Sequence, residues 1–305
     1  MIRERHIFER KAVNRVAGGF TLIELLTVIA IIGIIAAISV PVLKNFGKGN
    51  ISVSASRQLL DDIGRARQLA MSQRTTVYMV FIPTNFWQTV SGYPDPNGPL
   101  FPTGLGSLNS NQRTALTNLL GMQLTGYTYM AYGALGDQPG QHQWHFLAPW
   151  QSLPAGVYIP MWKFYNPTPP YYFADPANNN VNFNIYPFSV TNTFPFPTDD
   201  STSSVASFGM MLPYIAFNYQ GQLANYSGQL LPSANQDQDF TGGGIDIPIV
   251  QGNLLPPINP STRAFNVGPP EVNEMPPGND TNISYNVVHI DPLTGRPTLE
   301  FHKLQ

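Results

Sequence analysis

From Phe20 to Leu43 the chain reads FTLIELLTVIAIIGIIAAISVPVL, 24 residues in which Glu24 is the only ionisable side chain. As a helix this run would rise about 36 Å at 1.5 Å per residue, enough to cross a hydrocarbon core of roughly 30 Å. The residues before it carry the opposite character. Met1 to Gly19 holds Arg3, Arg5, Arg10, Lys11 and Arg15 against Glu4 and Glu9, a net of +3. A positive flank stays on the cytoplasmic side, so the pattern predicts a cytoplasmic N-terminus and an outer C-terminal bulk. An ordinary secretory signal is a weaker fit. Its apolar region spans about 7–15 residues and ends at a small-residue cleavage site. Here the run is longer, and the small pair Gly18-Gly19 precedes it. Glu24 is the anomaly within the run. An acidic group in a membrane segment costs on the order of 2.5–3.5 kcal/mol at the helix centre and less near the interface, and it marks a functional position.

Glu24 closes the motif Gly18-Gly19-Phe20-Thr21-Leu22-Ile23-Glu24. This GGFTLIE segment resembles the N-terminus of type IV pilins and type II secretion pseudopilins. The resemblance implies that a prepilin peptidase cuts between Gly19 and Phe20 and methylates the new Phe20 amine. Glu24 then stands fifth in the cut chain, and Pro41 twenty-second, where the family carries a glutamate and a helix-kinking proline. The chemistry fits those roles. Gly18 and Gly19 leave the backbone open to the peptidase. The Phe20 amine stays positive when singly methylated, and Glu24 of a neighbouring subunit can pair with it. A paired charge in lipid costs far less than an unpaired one, so the pair sets axial register during assembly. Thr21 could bond the neighbouring terminus or its own helix backbone. Pro41 lacks the donor that closes a helical turn and is expected to kink the helix.

Beyond Pro41, the polar glycine-containing segment KNFGKGN (44–50) predicts a helix break or flexible joint. Helical patterning resumes with Val53, Ser56, Leu59, Leu60, Ile63, Ala66 and Ala70 on one stripe, as in an amphipathic helix laid on a sheet. Arg65, Arg67 and Arg74 could form a basic contact surface. TTVYMVFI (75–82) then reads as a strand. Further strands are expected at Gly126–Tyr132, Gln143–Leu147, Gly156–Ile159, Tyr214–Tyr219, Ile245–Val250 and Tyr285–Ile290. Segments 84–124, 160–204 and 251–280, rich in Pro, Asn, Gly and aromatics, read as insertions or ordered loops. The expected fold is α+β, a long hydrophobic N-terminal helix followed by a β-rich head with long loops. It divides into a leader (1–19) that is removed, a transmembrane or filament-core helix (20–43), an amphipathic helix (44–74) and a periplasmic head (75–305). The passage from Arg65-Ala66-Arg67 into TTVYMVF resembles the H-type pseudopilin and minor pilin group. So do LPAGVYI (153–159), IAFNYQGQL (215–223) and VVHIDPLTGRPTLEF (287–301), whose Asp291–Arg296 segment reads as a hairpin turn.

Composition narrows the function classes. No cysteine is present, which excludes disulfides, thiolate metal sites and a cysteine nucleophile. Charged residues make up 11%, against about 25% in typical soluble domains. With 29 Pro, 26 Gly and 14 Tyr, that points to an exported, loop-rich domain. The cut chain would carry 11 basic and 16 acidic side chains, a net of −5, and sparse cations disfavour nucleic-acid binding. No nucleophile elbow, phosphate loop or dinucleotide fingerprint occurs, so no catalytic residues and no cofactor are expected. His142 and His145 lack the further ligands a zinc site needs. Asp237, Asp239 and Asp246, around Gly242-Gly243-Gly244, are weak calcium candidates without a full loop signature. Tyr171, Tyr172, Phe194 and Phe196 suit protein or carbohydrate contact if exposed. Expected partners are the prepilin peptidase, other pilin-like subunits and the inner-membrane assembly platform of a secretion or pilus system. The expected location is the inner membrane, single pass, and then a periplasmic or extracellular filament. The competing reading is a membrane-anchored exported enzyme or carbohydrate- or protein-binding domain whose head acts alone.

Overall fold

The computed structural model describes residues 21–84, 86, 89–90, 93–94, 110–133, 135–137, 143–164, 171–174, 182–190, 192–195, 209–233, 236–237, 243–263, 265–266, 268–278 and 286–301. For residues 36–50, inside the first helix, the description covers the backbone alone. Two compact units are present, 1–47 and 48–305.

Helix α1 runs from Leu22 to Gln73 without interruption. The break expected at 44–50 is therefore absent. Each glycine in a helix interior costs about 1 kcal/mol relative to alanine, too little to stop a helix that gains a hydrogen bond with every added residue. Helix assignment also continues through Pro41. The stripe predicted for the second half is close to the observed one. Ser52, Ala55, Ser56, Leu59, Ile63, Ala66 and Ala70 are buried, while Val53 and Leu60 sit at its margin.

That stripe packs against two antiparallel sheets. The first contains β1 (Val77–Phe81), β2 (Gly126–Tyr132), β3 (Trp144–Phe146) and the short β4 (Gln151–Ser152). The second opens with β5 (Val157–Tyr158). The chain then returns to the first sheet as β6 (Tyr214–Phe217) and β7 (Leu223–Ala224). It ends in the second sheet as β8 (Ile245–Leu255), β9 (Glu271–Glu274), β10 (Asn286–Ile290) and β11 (Pro297–Phe301). Strand order is β7-β6-β1-β2-β3 with β4 beside β2, and β9-β8-β10-β11 with β5 beside β8.

β1 sits between β6 and β2, and both of its faces are buried. Val77, Met79 and Phe81 join the core containing Leu59, Ile63, Ala66 and Ala70 of α1. Tyr78, Val80 and Ile82 face a second core with Leu116, Leu119 and Leu120. Burial on both faces explains why the sequence here is apolar at nearly every position. Full burial of each Leu or Ile side chain contributes about 1.5–3 kcal/mol. Leu116, Leu119 and Leu120 belong to α2 (Ser110–Leu120), a helix inside the segment expected to be a loop. Their i, i+3, i+4 spacing carries the apolar signal in an otherwise polar stretch. Two further loop segments also hold strands: β9, and an antiparallel pair of Tyr171–Ala174 with Asn182–Ile185.

Side-chain bonds fix α1 to both sheets. Asn286 of β10 donates to Ser52 Oγ (2.9 Å) and Ser56 Oγ (3.2 Å). Gln58 donates to Tyr127 Oη (2.9 Å) and to the Ser152 carbonyl (3.0 Å), and Tyr127 donates to Asp62. Arg65 lies over the Tyr129 ring at 5.8 Å. Arg67 turns inward and donates to the Gly221 carbonyl (3.2 Å) and the Thr294 carbonyl (2.6 Å). It thereby ties a turn of each sheet to the helix and is not part of a basic outer surface.

The Asp291–Arg296 turn joins β10 to β11 as expected. Asp291 Oδ1 accepts from the amides of Leu293 (3.1 Å) and Thr294 (2.6 Å) and from Thr294 Oγ1 (2.8 Å). These bonds to the charged form hold its carboxyl below the usual range, the Thr294 amide being the largest cause. Gly295 adopts φ of 62°, and a Cβ there would clash with the Gly221 carbonyl oxygen. Gly295→Ala is expected to destabilise the head by about 1–3 kcal/mol. Gly64→Ala, at an open helical site, is expected to stabilise it by about 0.4–1 kcal/mol. Thermal and denaturant unfolding of the two variants checks both signs. Because the folded-state pKa of Asp291 is depressed, its contribution is present above the ordinary carboxylate range and lost as pH falls through the lower folded value. Asp291→Asn is expected to flatten the acid limb of a melting-temperature profile and leave the alkaline limb unchanged.

Candidate functional site

The helix start is built by local chemistry. Thr21 precedes α1, and its carbonyl accepts from the amides of Glu24 (3.1 Å) and Leu25 (3.2 Å). Its Oγ1 accepts from the Glu24 amide at 3.3 Å and donates to Glu24 Oε2 at 3.4 Å. Thr21 is therefore the N-cap and Glu24 the third helical residue, the T-x-x-E spacing of a capping box. Within the chain, the Thr21 hydroxyl bonds the start of its own helix. The spacing was readable in the sequence as a helix-start signature. Glu24 also lies in the first turn, where the helix dipole favours a negative charge.

Among the described residues, the side chains that follow are exposed. Leu22 is 82% exposed and Ile35 still 58%, and every residue from Thr21 to Ile35 is exposed. Among the described residues, no helix is long and apolar enough to cross a membrane. The apolar run Phe20–Leu43 continues into the interval where only the backbone is described.

In the head, a buried polar chain links five segments. Lys163, on a 3-10 turn (Met161–Lys163), is 1% exposed. It donates to the Tyr186 carbonyl at 2.6 Å and to Asp237 Oδ2 at 3.1 Å. Asp237 accepts from the Tyr186 amide at 2.5 Å and from the Asp246 amide at 2.6 Å. Asp246 in turn pairs with His289 Nδ1 of β10 at 2.8 Å. Burial pushes the Asp237 carboxyl up to about 6, with Lys163 opposing and Asp246 adding to the rise.

Of the processing residues, Gly18, Gly19 and Phe20 lie outside the described residues, and so does the Pro41 side chain. The fold does bring the calcium candidates Asp237 and Asp246 together, while Asp239 lies outside the description. Both described carboxylates are engaged by protein donors. Among the described residues, no group of three or more His, Asp or Glu could hold a metal ion. His145 pairs with Asp137 at 2.9 Å, and His142 is outside the description. Phe194, a proposed exposed contact residue, is instead fully buried among Tyr78, Trp144 and Tyr214, with ring centroids 5.3–5.5 Å away. The side chains of Tyr171, Tyr172 and Phe196 lie outside the description. The Lys163–Asp237 pair was not readable from sequence, because 74 residues separate its members.

Residues 14–40 match the family model described as the prokaryotic N-terminal methylation motif. No curated protein and no solved structure matches the chain.

Asp237→Asn is expected to lower stability at neutral pH by about 3–5 kcal/mol, because it leaves the Lys163 ammonium buried without its counter-charge. Replacing both partners together, Lys163→Met with Asp237→Leu, is expected to recover only part of that loss, because the Tyr186 and Asp246 amides and the Tyr186 carbonyl lose these partners. Denaturant unfolding of the single and double variants measures the difference.

Proposed function

We propose that this chain is a structural subunit of a pilin-like filament, most like a minor pseudopilin of type II secretion or a minor pilin of a type IV pilus. One observation carries the reading: the methylation-motif match spans residues 14–40 and thus covers Gly18, Gly19, Phe20, Thr21 and Glu24 together. A motif of this kind makes the chain a prepilin-peptidase substrate, exported and anchored by its N-terminal segment. Cleavage after Gly19 removes the leader with its five cations and leaves a single positive amine on Phe20.

The order of events follows from charge and exposure. Before assembly the apolar side chains of Leu22 to Ile35, exposed on the isolated chain, are covered by lipid. The positive leader keeps the N-terminus cytoplasmic. On assembly, neighbouring helices replace lipid around the same residues. Dispersion packing between aliphatic helices is nearly isotropic in register, since lipid tails are as apolar as the side chains. Register therefore needs a polar device. Glu24 of one subunit and the Phe20 amine of the next supply it, because an unpaired charge at that depth is costly. The head carries the surface by which the subunit engages its cargo or its fibre. The strand passage from α1 into β1 and the β10–β11 hairpin with its Asp291–Arg296 turn support the H-type group within the family.

The mature N-terminus, read by mass spectrometry from cells with and without an active prepilin peptidase, tests the processing. The expected result is a chain beginning at methylated Phe20 only when the peptidase is active. Retention of residues 1–19 would instead favour a simple membrane anchor for a head that acts alone. Glu24→Ala is expected to leave membrane insertion and cleavage intact and to reduce incorporation into filaments by about tenfold or more, the scale of losing one charge pair of a few kcal/mol. Unchanged incorporation would remove the register role.

A further inference from the structure

The head holds a lysine and a carboxylate in contact where both are withdrawn from solvent. Lys163 and Asp237 are 1% and 2% exposed, and Lys163 Nζ lies 3.1 Å from Asp237 Oδ2. The groups around them are fixed as well. The ammonium lies over the Phe188 ring at 5.1 Å and is aimed by its bond to the Tyr186 carbonyl. The carboxylate accepts from two main-chain amides, that of Tyr186 on Oδ1 and that of Asp246 on Oδ2. Filament assembly through the N-terminal helix makes no use of this pair.

Burial changes what the two groups can do. In water an ammonium and a carboxylate stay as hydrated ions. Out of water both charges are penalised. Passing one proton across the hydrogen bond that joins them leaves an uncharged amine beside an uncharged acid. Burial is the largest influence on the Asp237 carboxyl and favours its neutral form; the Lys163 charge opposes this and the Asp246 charge adds to it. Asp246 is itself oriented by His289 Nδ1 at 2.8 Å. An uncharged lysine amine is a nucleophile. Its nitrogen is already hydrogen-bonded to an oxygen of the carboxyl it would attack, close to the separation of a near-attack arrangement. Attack places the developing negative charge on Oδ1, where the Tyr186 amide points, as a donor of an oxyanion hole does.

We infer that Lys163 and Asp237 condense within the folded head into an intramolecular isopeptide bond. The ion pair described above is the unreacted state. The Lys163 ammonium gives one proton to Asp237 Oδ2. The Nζ lone pair then forms the Nζ–Cγ bond, and the carbonyl electrons move to Oδ1. A second proton passes from nitrogen to Oδ2, the electrons return from Oδ1, and the Cγ–Oδ2 bond breaks. Oδ2 leaves as water with both protons, through the cavity of about 510 Å³ that the pair lines, and a secondary amide remains. Nothing is oxidised or reduced, and no co-reactant is consumed. The bond closes a loop across 74 residues in a chain without cysteine, where no disulfide can do so.

The test uses the full chain in detergent, kept folded overnight at neutral pH and then denatured for intact-mass measurement. The expected mass is about 18 Da below that of the linear chain with the same N-terminus, the loss of one water. Comparison at a matched N-terminus makes the result independent of leader cleavage. A chymotryptic digest is expected to contain a branched peptide that joins Lys163 to Asp237. An amine-reactive label added in denaturant is expected to modify Lys44 and Lys48 and to leave Lys163 unlabelled. Lys163→Arg keeps the positive charge but cannot form the amide, and it is expected to restore the full mass, as is Asp237→Ala. If neither variant folds, the unaltered chain decides alone. A chain of full mass whose Lys163 takes the label overturns the proposal. So does a loss of water that maps to other residues, or one that persists in folded Lys163→Arg.

Discussion

The small-residue face of α1 between Ser52 and Ala70 is the surface on which the head is built. Five of its seven buried positions are Ser or Ala, so the helix axis can approach both sheets closely. Leu59 and Ile63 then fill the middle of the main core with Met79, Phe81 and Ile247. The polar bonds are arranged around that contact. Asn286 reaches the two serines, Gln58 and Asp62 engage Tyr127, and Arg67 caps a turn from each sheet. A larger side chain at Ser56 or Ala66 would push the helix from β1 and from β10 together, since one helix face serves both.

The same helix is bound to two different environments along its length. From Ser52 onward it is covered by the chain's own sheets. From Leu22 to Ile35 its side chains are uncovered, and their partners are lipid and then neighbouring subunits in the proposed assembly. Glu24 works within this contrast. In the isolated chain the Thr21 hydroxyl and the helix dipole satisfy it, and both are weak, local interactions. In the proposed assembly its carboxylate exchanges them for a stronger ionic partner, the Phe20 amine of a neighbour.

Much of this was legible in the chain's chemistry. The GGF–Glu24 motif, the apolar run and the stripe from Ser56 to Ala70 depend on neighbours within one or two helical turns. Strand positions such as Val77–Phe81 and Asn286–Ile290 were readable to within a residue or two, because β-branched and aromatic runs between turn residues are a local signal. α2 and β9 were not found, because Ser110–Leu120 and Glu271–Glu274 are mostly polar. Their structure comes from a few residues packing against distant segments, Leu116, Leu119 and Leu120 in the first case and Val272 in the second. Phe194 shows the same limit. A Phe just before a proline in a loop-like stretch gives no sign that it will lie among Tyr78, Trp144 and Tyr214.

By itself the sequence determined how the N-terminus behaves: which segment is apolar, which end is positive, where the lone carboxylate sits and how the helix begins. Those properties come from composition and from contacts three or four residues apart. Only the tertiary structure decided how the head is closed and charged inside. Lys163, Asp237, Asp246 and His289 come from segments scattered over more than a hundred residues. Burial, not sequence spacing, makes each depend on the others, because a charge removed from water must find its partner wherever the fold has placed it.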